Sequence, residues 1–327
     1  MPAASILIKP ASANCNMDCK YCFYKCLSSH REEYSKGFMQ EETLETLVRE
    51  AIAYADGSLT FAFQGGEPTL AGLDFFQKAV ELQQKYNNKK LQIENTIQTN
   101  GLLIDEKWAR FLGEHRFLVG LSLDGPKKMH DRYRKDAAGQ DTFARIMHSV
   151  QLLEQYHVDY NVVTVVTNDT AKQASFLYKF WKRNHYPFVQ FIPCMDEIKR
   201  QDGTQERSIY AVEPEQYGKF LCELFDLWYA DFVAGETMDI RMFSNLAQMA
   251  AGYPAEECGM NGCCNCYFVV EGDGSVYPCD FYCMDAWKLG TVKDGFVQMK
   301  TSEKAKAFVE ASRPVCATCH ECPYFSL

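Results

Sequence analysis

The sequence predicts an α/β fold with a largely parallel sheet, followed by a smaller cysteine-rich region. Three observations carry that expectation. Short apolar, β-like runs alternate with amphipathic helical stretches up to residue 195, the mark of βαβ units. Glycines and polar residues gather just after those runs, where parallel α/β sheets bind their ligands. The 15 cysteines fall into two clouds, 15–26 and 258–322, with only Cys194 and Cys222 between them.

Taken in order, the apolar run Ile6-Leu7-Ile8 opens a strand over 5–9. Helical spacing over 41–55 separates it from a strand over 59–63, and a helix over 73–86 precedes a strand over 91–97. A helix over 105–112, a strand over 117–123, a helix over 142–156, a strand over 159–166, a helix over 171–184 and a strand over 188–193 complete the alternation. Six such units are too few for a closed eight-fold barrel, so a curved, partly open barrel is expected. Residues 196–213 are polar, with Gln201-Asp202-Gly203 at a loop tip. Pro214 opens a helix to about 234 whose Tyr217, Leu221, Leu224, Phe225 and Trp228 share one face as core packing, and Gly235 stops it. Alternation ends near Met238, which places a domain boundary near 236 and divides the chain into 1–235 and 236–327.

Lys and Arg number 34 against 43 Asp and Glu, a net charge of −9 without any basic stretch, so nucleic acid is a poor partner. No apolar run reaches bilayer length, so no membrane span is expected, and the N-terminus lacks a signal-peptide pattern. The expected compartment is the cytoplasm. There, closely spaced cysteines suit metal clusters better than disulfides. Cys194 and Cys222 read as small buried residues.

The segment Cys15-Asn-Met-Asp-Cys19-Lys-Tyr21-Cys22 holds one CxxC preceded by a third cysteine. Zinc usually takes two CxxC pairs, or one with two histidines. Three thiolates suit an iron–sulfur cluster with one iron open for chemistry; the alternative is a zinc site completed from afar. Gly65-Gly66-Glu67-Pro68 follows an apolar strand. Its glycines let backbone approach a ligand, and its carboxylate could accept from an amine. Alone it reads as an ordinary strand-to-helix turn; with the cysteine motif upstream the balance reverses.

That motif, with an aromatic residue before its last cysteine, resembles the radical S-adenosylmethionine (SAM) enzymes. The likeness narrows with 15–24, Phe63-Gln64-Gly65-Gly66-Glu67-Pro68-Thr69-Leu70, Gln98-Thr99-Asn100-Gly101, 120–126, Arg134-Lys135-Asp136, Cys258-Gly259-Met260-Asn261-Gly262 and 274–282. Together these resemble the anaerobic sulfatase-maturating enzymes over essentially the whole chain. The resemblance implies a partial (β/α)6 radical SAM barrel with a C-terminal cysteine-rich, incomplete SPASM domain. It implies a SAM-binding [4Fe-4S] cluster on Cys15, Cys19 and Cys22, with Cys26 a bystander. SAM contacts fall to Tyr21, Gly66, Ser122, Arg134 and Met195, with Gly65, Gly66 and Glu67 at the methionyl amino group. Tyr24, Gln64 and Gln98 are candidates for lining the peptide site.

In the second cloud the resemblance gives Cys258, Cys264 and Cys279 to a first auxiliary [4Fe-4S] cluster, with Cys263 and Cys266 as thiols beside it. Cys319 and Cys322 go to a second auxiliary cluster. The family pattern continues as CxxCx5CxxxC, whereas this sequence stops at Leu327. The SPASM domain is therefore expected to be incomplete, with Cys316, Cys283 or Cys266 as substitute ligands. Asp280, by itself a turn or cap residue, is implied to be the proton acceptor. The implied activity is oxidation of Cys or Ser in a sulfatase CxPxR or SxPxR segment to Cα-formylglycine, with an auxiliary cluster taking the surplus electron. Implied partners are the sulfatase polypeptide and a reductant such as flavodoxin or ferredoxin, acting on a monomer. Alternatives are another SPASM peptide maturase, forming thioethers or crosslinks, and a non-enzymatic iron–sulfur or zinc module.

Overall fold

Successive βα units make the first two thirds of the computed structural model, which describes residues 4–198, 207–236 and 238–325. In order these are β1 (Ala4–Ile8), α1 (Phe23–Ser29) and α2 (Glu41–Tyr54); β2 (Ser58–Phe63) and α3 (Leu73–Tyr86); β3 (Gln92–Thr99) and α4 (Glu106–Glu114). They continue with β4 (Leu118–Ser122), α5 (Lys127–Tyr133) and α6 (Phe143–Gln155); β5 (Tyr160–Val166) and α7 (Ala174–Arg183); β6 (Phe188–Pro193) and α8 (Pro214–Val233). The loop tip expected at Gln201-Asp202-Gly203 lies outside the described residues, as does Leu327.

Local chemistry explains these elements. Along β2, Leu59, Phe61 and Phe63 are buried while Ser58, Thr60 and Ala62 alternate with them, so one face meets the helices and the other the barrel interior. The helix-side face packs rings together: Phe63 tilted against Phe76 of α3 at 4.9 Å, and Phe76 edge to face with Trp108 of α4 at 5.1 Å. Asp105 caps α4 by accepting from the Trp108 N–H at 2.9 Å, and Pro214 opens α8 where no N–H is needed. On α8, Phe220 and Leu224 are the fully buried pair, spaced i, i+4, whereas Phe225 is 41% exposed. The expected stripe is thus rotated toward Phe220. Cys194 is buried as expected, but Cys222 lies exposed on α8.

The remaining elements are β7 (Asp239–Ile240), α9 (Arg241–Ala250), β8 (Phe268–Val270), β9 (Ser275–Tyr277), β10 (Gly290–Thr291), α10 (Phe296–Thr301), α11 (Glu303–Ala311) and α12 (Ala317–His320). Among the described residues one sheet runs β10-β9-β8-β1-β2-β3-β4-β5-β6-β7. Strands β1 to β6 are parallel to their neighbours, as the alternation predicts, and β7, which it did not predict, adds to β6 in parallel. The late part of the chain extends both edges. β7 joins β6, and β8 pairs in parallel with β1 (Ile6 beside Phe268, Ile8 beside Val270) before turning back through β9 and β10. Residues from the two cysteine clouds thereby meet over the first strand.

Candidate active site and cluster sites

Beyond β1 the chain crosses the carboxyl end of the sheet as a loop bearing three thiols. Backbone bonds clamp it on two sides. Asp18 N donates to Lys135 O at 2.8 Å and Lys20 N to Tyr133 O at 3.0 Å, while Glu67 N donates to Asn14 O at 2.8 Å. Cys15, Cys19 and Cys22 line one cavity of about 1690 Å³. N–H groups point at two of the sulfurs: Met17 N at 3.4 Å and Asn100 Nδ2 at 3.8 Å from Cys15 Sγ, and an Arg134 guanidinium nitrogen at 4.0 Å from Cys19 Sγ. Desolvation pushes Cys15 up to about 11 and Cys19 up to about 12, so the bare thiols keep their protons and a metal must displace them. Among the described residues no three His, Cys, Asp or Glu side chains close on a single ion. A wider cup of thiols carrying N–H donors fits the sulfur ligands of a larger iron–sulfur cluster.

The turn after β2 is bent by two glycines with φ of +89° and +53°. Their missing side chains make room for the protein's own atoms, the Lys9 side chain at Gly65 and the Asn14 backbone at Gly66. A Cβ on Gly65 would stand 2.6 Å from Lys9 Cγ, and one on Gly66 would collide with Asn14 O. Glu67 points inward: Oε1 accepts from Thr69 N at 3.0 Å, Thr69 Oγ1 at 2.6 Å and Thr99 Oγ1 at 2.7 Å, and Oε2 from Asn100 N at 2.8 Å. Burial raises this carboxyl above the usual range, and those donors pull it back. The effect is to tie the end of β3 to the glycine turn.

After β4, Ser122 Oγ accepts from Gln98 Nε2 at 3.3 Å, and Gln98 itself lies against Gly120, where a Cβ would clash. Asp124 is the buried hub: its carboxylate accepts from Tyr21 OH, from Arg134 Nε at 2.9 Å and from Val165 N at 3.1 Å. The Arg134 guanidinium stands 5.5 Å from the centroid of the Tyr21 ring. Met195, just past β6, is 52% exposed and lines the same cavity. Tyr21, Gly65, Gly66, Glu67, Ser122, Arg134 and Met195 all border that cavity.

Asp280 lies three residues past the end of β9 and is 6% exposed. Its Oδ2 accepts from Tyr24 OH at 2.7 Å and Gln64 Nε2 at 3.4 Å, its Oδ1 stands 2.8 Å from Lys9 Nζ, and its N–H donates to Tyr267 OH at 3.2 Å. Burial works to discharge Lys9, but the Asp280 and Glu271 carboxylates outweigh it and hold the ammonium well above its ordinary pKa. Asp280 and the three N-terminal thiols border one cavity, with Gln64 and Gln98 on its wall. Sequence reasoning placed Asp124 only among the polar residues clustered past the strands, and gave Lys9 no role. The signals were a carboxylate two residues past β4 and a lysine immediately after an apolar strand.

Around the second cysteine cloud, Cys279 is buried beside Tyr267 OH at 3.6 Å, and Cys264 N donates to Ser312 Oγ at 2.8 Å. Cys258 and Cys263 are exposed and Cys266 is buried. Cys316, Cys319 and Cys322 are exposed, with Cys316 Sγ and Cys319 Sγ 3.3 Å apart.

The Radical SAM superfamily model matches residues 10–179, and a model described as an iron–sulfur cluster-binding domain matches 262–323. The chain is similar to the cysteine-type anaerobic sulfatase-maturating enzyme of Clostridium perfringens (strain 13), with 47% identity over 100% of this chain and 88% of that one. A cysteine-type enzyme of Clostridium novyi is 44% identical over 100% and 87%, and a serine-type enzyme of Bacteroides thetaiotaomicron 33% over 98% and 80%. Among solved structures, native anSMEcpe with bound AdoMet and Cp18Cys peptide superposes with a TM-score of 0.94 at 46% identity, covering 100% of this chain and 88% of that one. Streptococcus suis SuiB bound to S-adenosylmethionine, at 16% identity and a TM-score of 0.64 over 99% and 71%, shares the fold.

Proposed function

The chain belongs to the anaerobic sulfatase-maturating enzymes of the radical SAM superfamily, and from that premise we propose how its residues divide the work. It is a radical SAM oxidoreductase of sulfatase maturation that uses [4Fe-4S] clusters and SAM and acts on a sulfatase-type peptide. The target is a cysteine of a CxPxR segment, converted to Cα-formylglycine; the closer likeness to cysteine-type than to serine-type relatives supports that choice. When bound, SAM and the clusters supply the 5′-deoxyadenosyl radical that removes a Cβ hydrogen atom and take up the surplus electron.

The protein's own part follows from the site. Cys15, Cys19 and Cys22 would hold the SAM-binding cluster. Gly65, Gly66 and Glu67 shape the methionyl end, while Tyr21, Ser122, Arg134 and Met195 complete the SAM cup, with Asp124 orienting Tyr21 and Arg134. Tyr24, Gln64 and Gln98, on the cavity wall, place the peptide. Asp280 receives the substrate's thiol proton. Cys258, Cys264 and Cys279 hold the first auxiliary cluster, and Cys319 and Cys322 serve the second. We take 1–235 as the radical SAM core and 236–327 as the accessory portion, and a monomer reduced by flavodoxin or ferredoxin in the cytoplasm as the working form. No helix among the described residues is long and apolar enough to cross a membrane.

The observation that carries this reading is the single cavity bordered by both the N-terminal thiols and Asp280. Anaerobic incubation of the reconstituted protein with SAM, a reductant and matched CxPxR and SxPxR peptides tests it. Mass spectrometry should find 5′-deoxyadenosine and a peptide aldehyde, with the cysteine peptide preferred. Deoxyadenosine beside unchanged peptides would refute the substrate assignment, and equal rates on both peptides would refute the cysteine preference.

A further inference from the structure

Between β1 and β8 lies a buried group of charges to which the chemistry above gives no task. Lys9 is 2% exposed and Glu271 is 0% exposed, and Arg31 is buried with them. Taking such ions out of water costs several kcal/mol each unless they are paired, and apolar residues of similar volume often do as well. A structural tie between two strands therefore does not require them. Their geometry converges on one place. Lys9 Nζ stands 2.8 Å from Asp280 Oδ1 and 3.8 Å from Glu271 Oε1. Arg31 grips the same Glu271 oxygen at 2.8 Å and, through Nε, donates to the Cys283 carbonyl. The Lys9 stem is steered by Gly65, whose absent side chain leaves the space it fills, and its ammonium lies 4.6 Å from the centroid of the Tyr24 ring.

We propose that Lys9, braced from behind by Glu271 and Arg31, is a positioning residue for Asp280. By occupying Oδ1 it fixes the carboxylate's rotation, so that Oδ2 faces Tyr24, Gln64 and the cavity. Gly65 accordingly serves this lysine as well as the SAM cup, because any Cβ there would displace the stem. The proposal rests on Asp280 being the proton acceptor, and its test separates the two claims.

Reconstituted Lys9→Met, Lys9→Arg and Asp280→Asn proteins are compared with the parent. The readouts are deoxyadenosine formed per aldehyde, kcat and KM for the peptide, iron content and Tm. Lys9→Met should keep its iron and cleave SAM, yet form about tenfold more deoxyadenosine per aldehyde. The loss should fall on kcat, with KM for the peptide within about twofold of the parent. Lys9→Arg, which keeps a cation beside Oδ1, should recover part of the coupling. If Asp280→Asn uncouples and Lys9→Met does not, the positioning role is wrong and the acceptor stands. Normal coupling in Asp280→Asn removes the acceptor and the proposal with it. Iron, deoxyadenosine and aldehyde falling together in both lysine variants would mean a structural tie only, which also overturns the proposal. Should Lys9→Met fail to fold, Glu271→Gln carries the test: an intermediate rise in deoxyadenosine per aldehyde supports the brace, and parental coupling refutes it.

Discussion

Two regions of this molecule present thiols for iron–sulfur chemistry, and they hold them very differently. The loop of Cys15, Cys19 and Cys22 is clamped by backbone bonds to residues 133–135 and to Glu67, and N–H donors already face two of its sulfurs. Cys316, Cys319 and Cys322 sit exposed around the four-residue α12, far too short to be stable alone. The barrel preorganises the first loop, whereas the last segment has only a short turn to hold it, and on the proposed reading metal would order it, as in small metal-binding modules. The difference suits the tasks proposed for them: a reacting centre must be placed to within fractions of an ångström, while an accessory cluster need only be near.

The sharpest way to break this contrast is to remove one thiol from each region. Cys19→Ala should abolish deoxyadenosine formation, because Cys19 is one of the three thiols proposed to hold the SAM-binding cluster. Cys322→Ala should leave SAM cleavage measurable. Equal loss in both would show that the two regions are not independent. Iron removal gives the next largest effect: hydrogen exchange in 316–322 should accelerate by orders of magnitude on chelation, while the amides of Asp18, Lys20 and Glu67 change little. Fast exchange at all of these would deny the barrel its preorganising role.

Smaller effects probe the clamp itself. Glu67→Ala leaves Asn100 N–H and two threonine hydroxyls without their acceptor, and should lower stability by about 3 kcal/mol in urea melts of the iron-free protein. A loss below about 1 kcal/mol would make the buried carboxylate dispensable. His130 props the same region, its Nδ1 accepting from Asp124 N at 3.3 Å and its Nε2 lying 3.0 Å from Thr142 Oγ1. Burial lowers it to about 4, against an ordinary value of 6.5. The unfolded chain therefore binds the extra proton first, and stability is lost as pH falls from 6.5 toward about 4. His130→Gln should flatten that part of the Tm-against-pH curve; an unchanged slope would assign the acid sensitivity elsewhere.

Much of this was legible in the chain because it is local. The alternation that gives β1 to β6 and their helices depends on side-chain period, and the expected strands and helices fall within a few residues of the observed ones. The short α1 and α5 and the helix α9 escaped, since seven residues of mixed polarity, or ten beside a cysteine-rich stretch, carry little periodic signal. The thiol spacing 15, 19, 22 is likewise a local property, and so is the glycine turn.

What the sequence determined by itself, then, was the βα framework, the N-terminal thiol motif and the resemblance that names the chemistry, because each is written in neighbouring residues. Only the tertiary structure decided that β8, three residues long, pairs with β1. That pairing brings Asp280 to Tyr24, 256 positions away, and sets Glu271 behind Lys9. It also decided that the two glycines make room for Lys9 and Asn14. A buried charge is tolerable only beside its partner, and the partners here come from opposite ends of the chain. No window of sequence contains both, so the site's electrostatics became visible only when the sheet closed over β1.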